Sequence, residues 1–181
     1  EESMICTSNL QIEEVDKIIL PGVGAFPDCM TNLNNKGFVL ALNRAVIEEK
    51  KPILGICLGM QVMASYGNEM EKTKGLGWFD AEVVLMEPKD RQIKIPNVGW
   101  EDIEFAKESP LLKNFYRKPD FYFVHSYYMK CQNEKDVSSW YDLGNLRITA
   151  SVHRDNIFGT QFHPEKSADF GREVLINFVE Y

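Results

Sequence analysis

An α/β fold is predicted by this sequence, in three layers: an open, mostly parallel sheet between helices, with a further antiparallel strand section in the second half. Three observations predict it. In the first half, short apolar runs alternate with segments of helical spacing, and strand–helix–strand–helix order implies parallel strands joined by right-handed crossovers. Pro-Gly and Gly-rich steps stop the apolar runs where buried strands would pass into loops. The second half is dense in β-branched and aromatic runs separated by turn residues.

The elements follow in order. Met4-Ile5-Cys6 reads as a strand already under way in a chain that opens at Glu1 without a methionine. Lys17-Ile18-Ile19-Leu20 is a buried strand halted by Pro21-Gly22. Phe38, Val39, Leu42, Val46 and Ile47 hold helical spacing, and Lys50-Lys51-Pro52 closes that helix. Pro52 to Ile56 is a second apolar strand, and Leu58 to Tyr66 is expected as helix. Glu82 to Met86 and Arg91 to Ile95 flank Pro88-Lys89-Asp90 as a hairpin or bent connection. Phe121 to Met129 is an aromatic strand, and Arg147 to Val152 and Ile157 to Phe162 pair around the turn His153-Arg154-Asp155-Asn156. A last helix starts near Ser167, a candidate N-cap, and buries Phe170, Val174, Leu175 and Phe178. No repeat or linker interrupts the chain, so residues 1–181 are expected to form one domain.

Composition narrows the function classes. The 181 residues carry a formal net charge of −7, with 44% hydrophobic and 26% charged residues, ordinary values for a soluble globular chain. That charge gives no general attraction to nucleic acid or to anionic membranes, and no Lys/Arg cluster offsets it. No apolar run reaches the roughly 18 residues of a membrane span, and no signal peptide is recognisable, so the cytoplasm is the default compartment. Cys6, Cys29, Cys57 and Cys131 are too irregularly spaced for a zinc site or a disulfide framework, and neither a metal nor a cofactor is expected.

At most one of those cysteines need carry chemistry. Gly55-Ile56-Cys57-Leu58-Gly59 stands at a strand-to-helix junction and has the form of a nucleophile elbow. The turn needs small residues two positions either side and lifts the sulfur to the carboxyl edge of the sheet. A helix starting at Leu58 would favour the thiolate, and the Leu58 N–H could bind an oxyanion. Alone, the pentapeptide fits a core cysteine between packing glycines equally well. Pro21-Gly22-Val23-Gly24 reaches the same edge, where a turned N–H serves an oxyanion hole, though a plain tight turn explains it too. His163-Pro164-Glu165 ends another strand; imidazole titrates in the range a base needs, and the carboxylate can hold the ring. His153 lies in a turn and His125 in an aromatic strand, as a core or binding residue; His163 is the candidate base, although alone it fits a structural histidine at least as well. Together the three segments point to a cysteine hydrolase or acyl-transfer enzyme.

Pro21 to Phe26, Gly55 to Gln61 and Gly159 to Ser167, supported by Gly75-Leu76-Gly77, Pro96 to Trp100 and Phe123 to Tyr128, resemble the class I (triad) glutamine amidotransferases over nearly the whole chain. Within that family the likeness is nearest to the glutaminase subunits of imidazole glycerol phosphate synthases. The resemblance implies a flavodoxin-like fold and a thioester between Cys57 and the carboxamide carbon of L-glutamine, with Cys57, His163 and Glu165 as the triad. It implies an oxyanion hole from Leu58 and the Gly22-Val23-Gly24 loop, and glutamine held by Gln61 and His125-Ser126-Tyr127. Trp100 and Lys166 would face a (β/α)₈ synthase partner in a heterodimer. Two departures stand out. Nothing matches the family's opening strand and helix, so a segment of roughly 30 residues, one strand and a crossover helix, is expected to precede Glu1. Asn97-Val98 stands where the family often has His-Met, which keeps open a paralogous subunit feeding ammonia to a sugar amidotransferase in surface-glycan synthesis. A different cysteine hydrolase on the same fold is the further alternative.

Overall fold

A computed structural model describes residues 2–181. The expected α/β architecture is observed, with mixed sheets. β1 (Ile18–Gly22) leads into α1 (Phe26–Asn35) and α2 (Phe38–Asn43), which continues as one π-helical turn over Arg44–Glu48. β2 (Ile53–Cys57) passes into α3 (Leu58–Gln61), followed by β3 (Ala64–Gly67), β4 (Thr73–Lys74), β5 (Phe79–Leu85), β6 (Asn97–Asp102) and β7 (Glu104–Phe105). Then come β8 (Asp120–His125), β9 (Tyr127–Cys131), β10 (Val137–Leu143), β11 (Leu146–Arg154), β12 (Ile157–Thr160) and α4 (Ala168–Val179). The main sheet has the order β1-β2-β12-β11-β10-β7, parallel across β1, β2 and β12 and antiparallel beyond. A second sheet runs β4-β3-β5-β9, and β6 pairs with β8 alone.

β2 explains why the sheet has helices on both sides. All five of its residues are buried, as expected of a central parallel strand. Ile53 and, from β12, Ile157 join an apolar cluster with Phe26, Met30, Leu42 and Val46 of the first helical segments. Leu54, Ile56 and Phe158 join the opposite cluster with Phe121, Phe123, Phe162 and, from α4, Phe170, Val174 and Phe178. Phe121 and Phe162 stack at 4.0 Å between centroids, clamping β8 onto the segment that carries His163.

Four local expectations fail, each for a physical reason. Met4 to Cys6 forms no strand, and Ile5 is 88% exposed. The helix expected from Leu58 to Tyr66 ends at Gln61, because a later loop takes its carbonyls: Leu76 N–H bonds Val62 O at 2.8 Å, Trp78 N–H bonds Met63 O at 2.9 Å, and Gly77 N–H bonds Ala64 O at 3.0 Å. Gly75 is needed there, since a Cβ would lie 2.2 Å from Ala64 O. Arg91 to Ile95 is a turn in which the Asp90 carboxylate accepts from Gln92 N–H at 2.9 Å. Phe121 to Met129 breaks at Ser126, so that β8 pairs with β6 while β9 pairs with β5.

Candidate active site

Cys57 has φ 54° and ψ −111°, a conformation that costs a non-glycine residue energy and persists only where its surroundings impose it. Packing imposes it here. A Cβ on Gly55 would lie 2.6 Å from Gly59 O, and one on Gly59 would lie 1.7 Å from Leu20 O. The turn is wedged between its own two sides and β1. Gly22 stands in register with Cys57 across the parallel ladder, which brings the Gly22-Val23-Gly24 loop alongside the cysteine. Val23 is 82% exposed, and Gly24 takes φ +100° with open space around it, so its glycine answers to backbone conformation rather than crowding.

The thiol is buried, and burial outweighs the pull toward thiolate expected from the start of the following helix. Burial pushes the Cys57 pKa up to about 11, and the Glu165 charge adds to the rise. The Leu58 N–H, the Gln161 amide and the Lys166 charge oppose it without prevailing. α3 is a single turn of four residues, too short for its dipole to balance desolvation. A pKa raised in this way favours the neutral thiol near pH 7.

His163 is the residue the sequence offers as a candidate base. Its Nδ1 lies 2.7 Å from Glu165 Oε1. The carboxylate can only accept, so Nδ1 carries a hydrogen, and in the neutral ring the lone pair is on Nε2. That Nε2 is buried and has no hydrogen-bond partner among the described residues. The backbone is pinned as firmly: His163 N–H donates to Tyr122 O at 3.0 Å, the Ser167 hydroxyl donates to His163 O at 2.6 Å, and it accepts from Tyr122 N–H at 2.9 Å. Ser167 occupies the N-cap position of α4, but its hydroxyl serves this staple and not the helix end. Pro164 to Lys166 form a short 3₁₀ turn that returns Glu165 under the ring.

Behind the cysteine runs a buried chain of polar side chains. Gln61 Nε2 donates to Tyr127 O at 2.9 Å and to Gln161 Oε1 at 3.0 Å, and Gln161 Nε2 lies 3.6 Å from Cys57 Sγ. His125 engages both ring nitrogens, Nδ1 with Tyr127 O at 2.8 Å and Nε2 with Tyr141 Oη at 3.0 Å. Asn97 Nδ2 donates to Tyr141 Oη at 3.1 Å. Burial lowers the His125 pKa to about 4, so the ring is neutral. The segment His125-Ser126-Tyr127 thus offers a ligand backbone groups and hydroxyls rather than an imidazole.

Trp100 and Lys166 are on the surface. Trp100 is 49% exposed, packs edge-on against Tyr122 at 6.1 Å, and shares a shallow cavity with Ser167 and Asp169. The same protein face therefore carries Trp100 and the turn containing Lys166. Among the described residues no cluster of three or more His, Cys, Asp or Glu is placed to hold a metal ion, all four cysteines are free, and no helix is long and apolar enough to cross a membrane.

A family model of class I glutamine amidotransferases matches residues 4–180. The chain belongs to that family. It is 46% identical over 177 residues to imidazole glycerol phosphate synthase subunit HisH 1 of Campylobacter jejuni subsp. jejuni serotype O:23/36, covering 98% of this chain and 87% of the relative. Imidazole glycerol phosphate synthase subunit HisH 2 of Nitrobacter winogradskyi is 44% identical, with 99% and 87% covered. A solved structure titled crystal structure of glutamine amidotransferase superposes with a TM-score of 0.70 at 20% identity, covering 96% of this chain and 85% of that one, a likeness of fold.

Three polar residues of this amidotransferase's site were not singled out from sequence as its parts: Gln161, Tyr141 and the amide of Asn97. Gln161 alone carries a local signal. It is a glutamine directly after a strand of buried residues and two before the candidate base, and it is fully buried. A buried carboxamide needs partners.

Proposed function

We propose that this amidotransferase is the glutaminase subunit of an imidazole glycerol phosphate synthase, hydrolysing L-glutamine and passing ammonia to a (β/α)₈ synthase partner. The observation that carries the glutaminase reading is the strained elbow at Cys57 together with a buried His163 whose Nε2 is free and whose Nδ1 is held by Glu165. The names of the Campylobacter and Nitrobacter relatives support the synthase.

Glutamine is held by Gln61 and the His125-Ser126-Tyr127 segment. His163 Nε2 takes the thiol proton as the sulfur attacks the carboxamide carbon. The oxyanion is met by N–H groups of Leu58 and of the Gly22-Val23-Gly24 loop. The imidazolium then protonates the departing nitrogen, the C–N bond breaks, and ammonia leaves a thioester. His163 next deprotonates water, which attacks the thioester, returns the proton to sulfur and frees glutamate. Burial holds the thiol toward its neutral form, so in this reading proton transfer to His163 accompanies the attack. Trp100, exposed beside the His163 segment, anchors the partner together with Lys166.

Glutamate release from glutamine, measured with the synthase partner and its acceptor present, tests this. Cys57→Ala is expected to abolish it, and glutamine is expected to protect Cys57 from a glutamine-analogue electrophile. Normal turnover by Cys57→Ala, or no protection, rejects the reading.

A further inference from the structure

The orientation of every amide behind the nucleophile follows from one backbone oxygen. The Tyr127 carbonyl can only accept. Gln61, 2.9 Å away, must therefore present its NH₂ group there. The same nitrogen lies 3.0 Å from the Gln161 side chain, so Gln161 must present its oxygen to Gln61. Its NH₂ group is then the end that faces Cys57 Sγ at 3.6 Å, an ordinary length for a bond to sulfur. The same carbonyl also fixes the histidine beside it. His125 must carry its hydrogen on Nδ1, 2.8 Å from Tyr127 O, so Nε2 accepts from the Tyr141 hydroxyl, which in turn accepts from Asn97.

We infer that Gln161 is the side-chain donor that stabilises the Cys57 sulfur as it gains charge, and that Gln61 is a positioning residue that holds Gln161 in the donating orientation through the Tyr127 carbonyl. The inference rests on Cys57 being the nucleophile. Gln161 and Gln61 are fully or nearly fully buried, 0% and 5% exposed, so no water competes for the amide. A donor fixed before the reaction needs no rearrangement when charge develops on sulfur. Burial is the largest influence on this thiol and opposes ionisation, and the Gln161 amide is one of three groups, with the Leu58 N–H and the Lys166 charge, that favour it.

Two variants of the full-length chain test the inference. Gln161→Met keeps the volume and removes both hydrogen bonds. Gln161→Glu keeps an oxygen for Gln61 and turns an acceptor toward the sulfur. Iodoacetamide capture is followed at Cys57 alone, by peptide mass spectrometry, because Cys6, Cys29 and Cys131 are also free thiols. The profile is taken across alkaline pH, with His163, Glu165 and Lys166, the ionisable groups around the sulfur, left unchanged. Loss of a hydrogen bond to a developing charge is worth roughly tenfold. Gln161→Met is expected to slow capture and to lower kcat about that much with KM unchanged, and to move the capture profile to higher pH. Gln161→Glu is expected to be slower still. Wild-type capture in Gln161→Met, a change in KM alone, or capture in Gln161→Glu as fast as wild type overturns the inference. Should Cys57→Ala remain active, the nucleophile assignment itself falls; an inactive Cys57→Ala with unaltered Gln161→Met removes only the role given to Gln161.

Discussion

A Cβ on Gly59 would meet the Leu20 carbonyl oxygen at 1.7 Å, and the obstacle is backbone, which cannot rotate aside. Gly59→Ala is therefore expected to push β1 and the elbow apart, costing about 3 kcal/mol or more and lowering the melting temperature clearly. Gly24→Ala, with φ +100° and open space, is expected to cost only about 1 kcal/mol of backbone strain. Equal melting temperatures for the two variants would contradict this account. Glu165 carries a different kind of constraint. Its carboxylate fixes the hydrogen on Nδ1 of His163; a carboxamide in its place can present an NH₂ group and favour the other tautomer. Because the Glu165 side chain is 46% exposed, part of its effect is screened. Glu165→Gln is expected to lower kcat roughly tenfold to a hundredfold with little change in KM. Undiminished kcat would show that the ring is held by its backbone staple alone.

At the scale of elements, what could be read locally and what could not divide along sequence separation. The elbow was legible because the residues that shape it, Gly55, Cys57 and Gly59, lie within five positions. The strand β2 was legible from its unbroken apolar run, and His163-Pro164-Glu165 from its spacing. The truncation of the helix after Gln61 was not, because the hydrogen bonds that end it come from Leu76, Gly77 and Trp78, and apolar Val62-Met63-Ala64 serves a strand as well as a helix. Gln161 is obscure in the sequence for the same reason: its partner Gln61 is a hundred positions away. Asn97 stood out only as a departure from a pattern, yet it joins β6 to β10 and, through Tyr141, to β8. Removing one member of such a chain strands the others. Tyr141→Phe is expected to cost about 2 kcal/mol, Asn97→Leu about 1–2 kcal/mol, and the double variant about 1 kcal/mol less than their sum. Strict additivity in denaturant melts would mean that the strands are joined by packing alone.

Across the whole molecule, buried titratable groups are expected to set the pH range in which the fold is stable. His125 has its pKa lowered to about 4 by burial, against 6.5 in an exposed site, and His153 is lowered in the same direction. The unfolded chain therefore binds more protons than the folded one between those values, and stability falls as pH drops below about 6.5. Cys57 and Cys131 behave in the opposite sense: burial raises them to about 11 and about 12, and Tyr128, Tyr141 and Cys29 are raised as well. Unfolding then releases protons at high pH, and stability falls as pH rises beyond about 9. The expected profile is a plateau of melting temperature between about pH 6.5 and 9 with a decline on each side. Full protonation of His125 is worth roughly 3 kcal/mol, which for a chain of this size corresponds to a fall of roughly 5 to 10 °C by pH 4. His125→Gln is the control for that limb, since a carboxamide can donate to Tyr127 O and accept from Tyr141 without titrating. Its melting temperature is expected to fall less steeply than wild type from pH 6.5 to 4. Parallel acid limbs in the two proteins, or a melting temperature still rising between pH 9 and 10.5, would mean that other groups govern the stability and that these buried side chains do not.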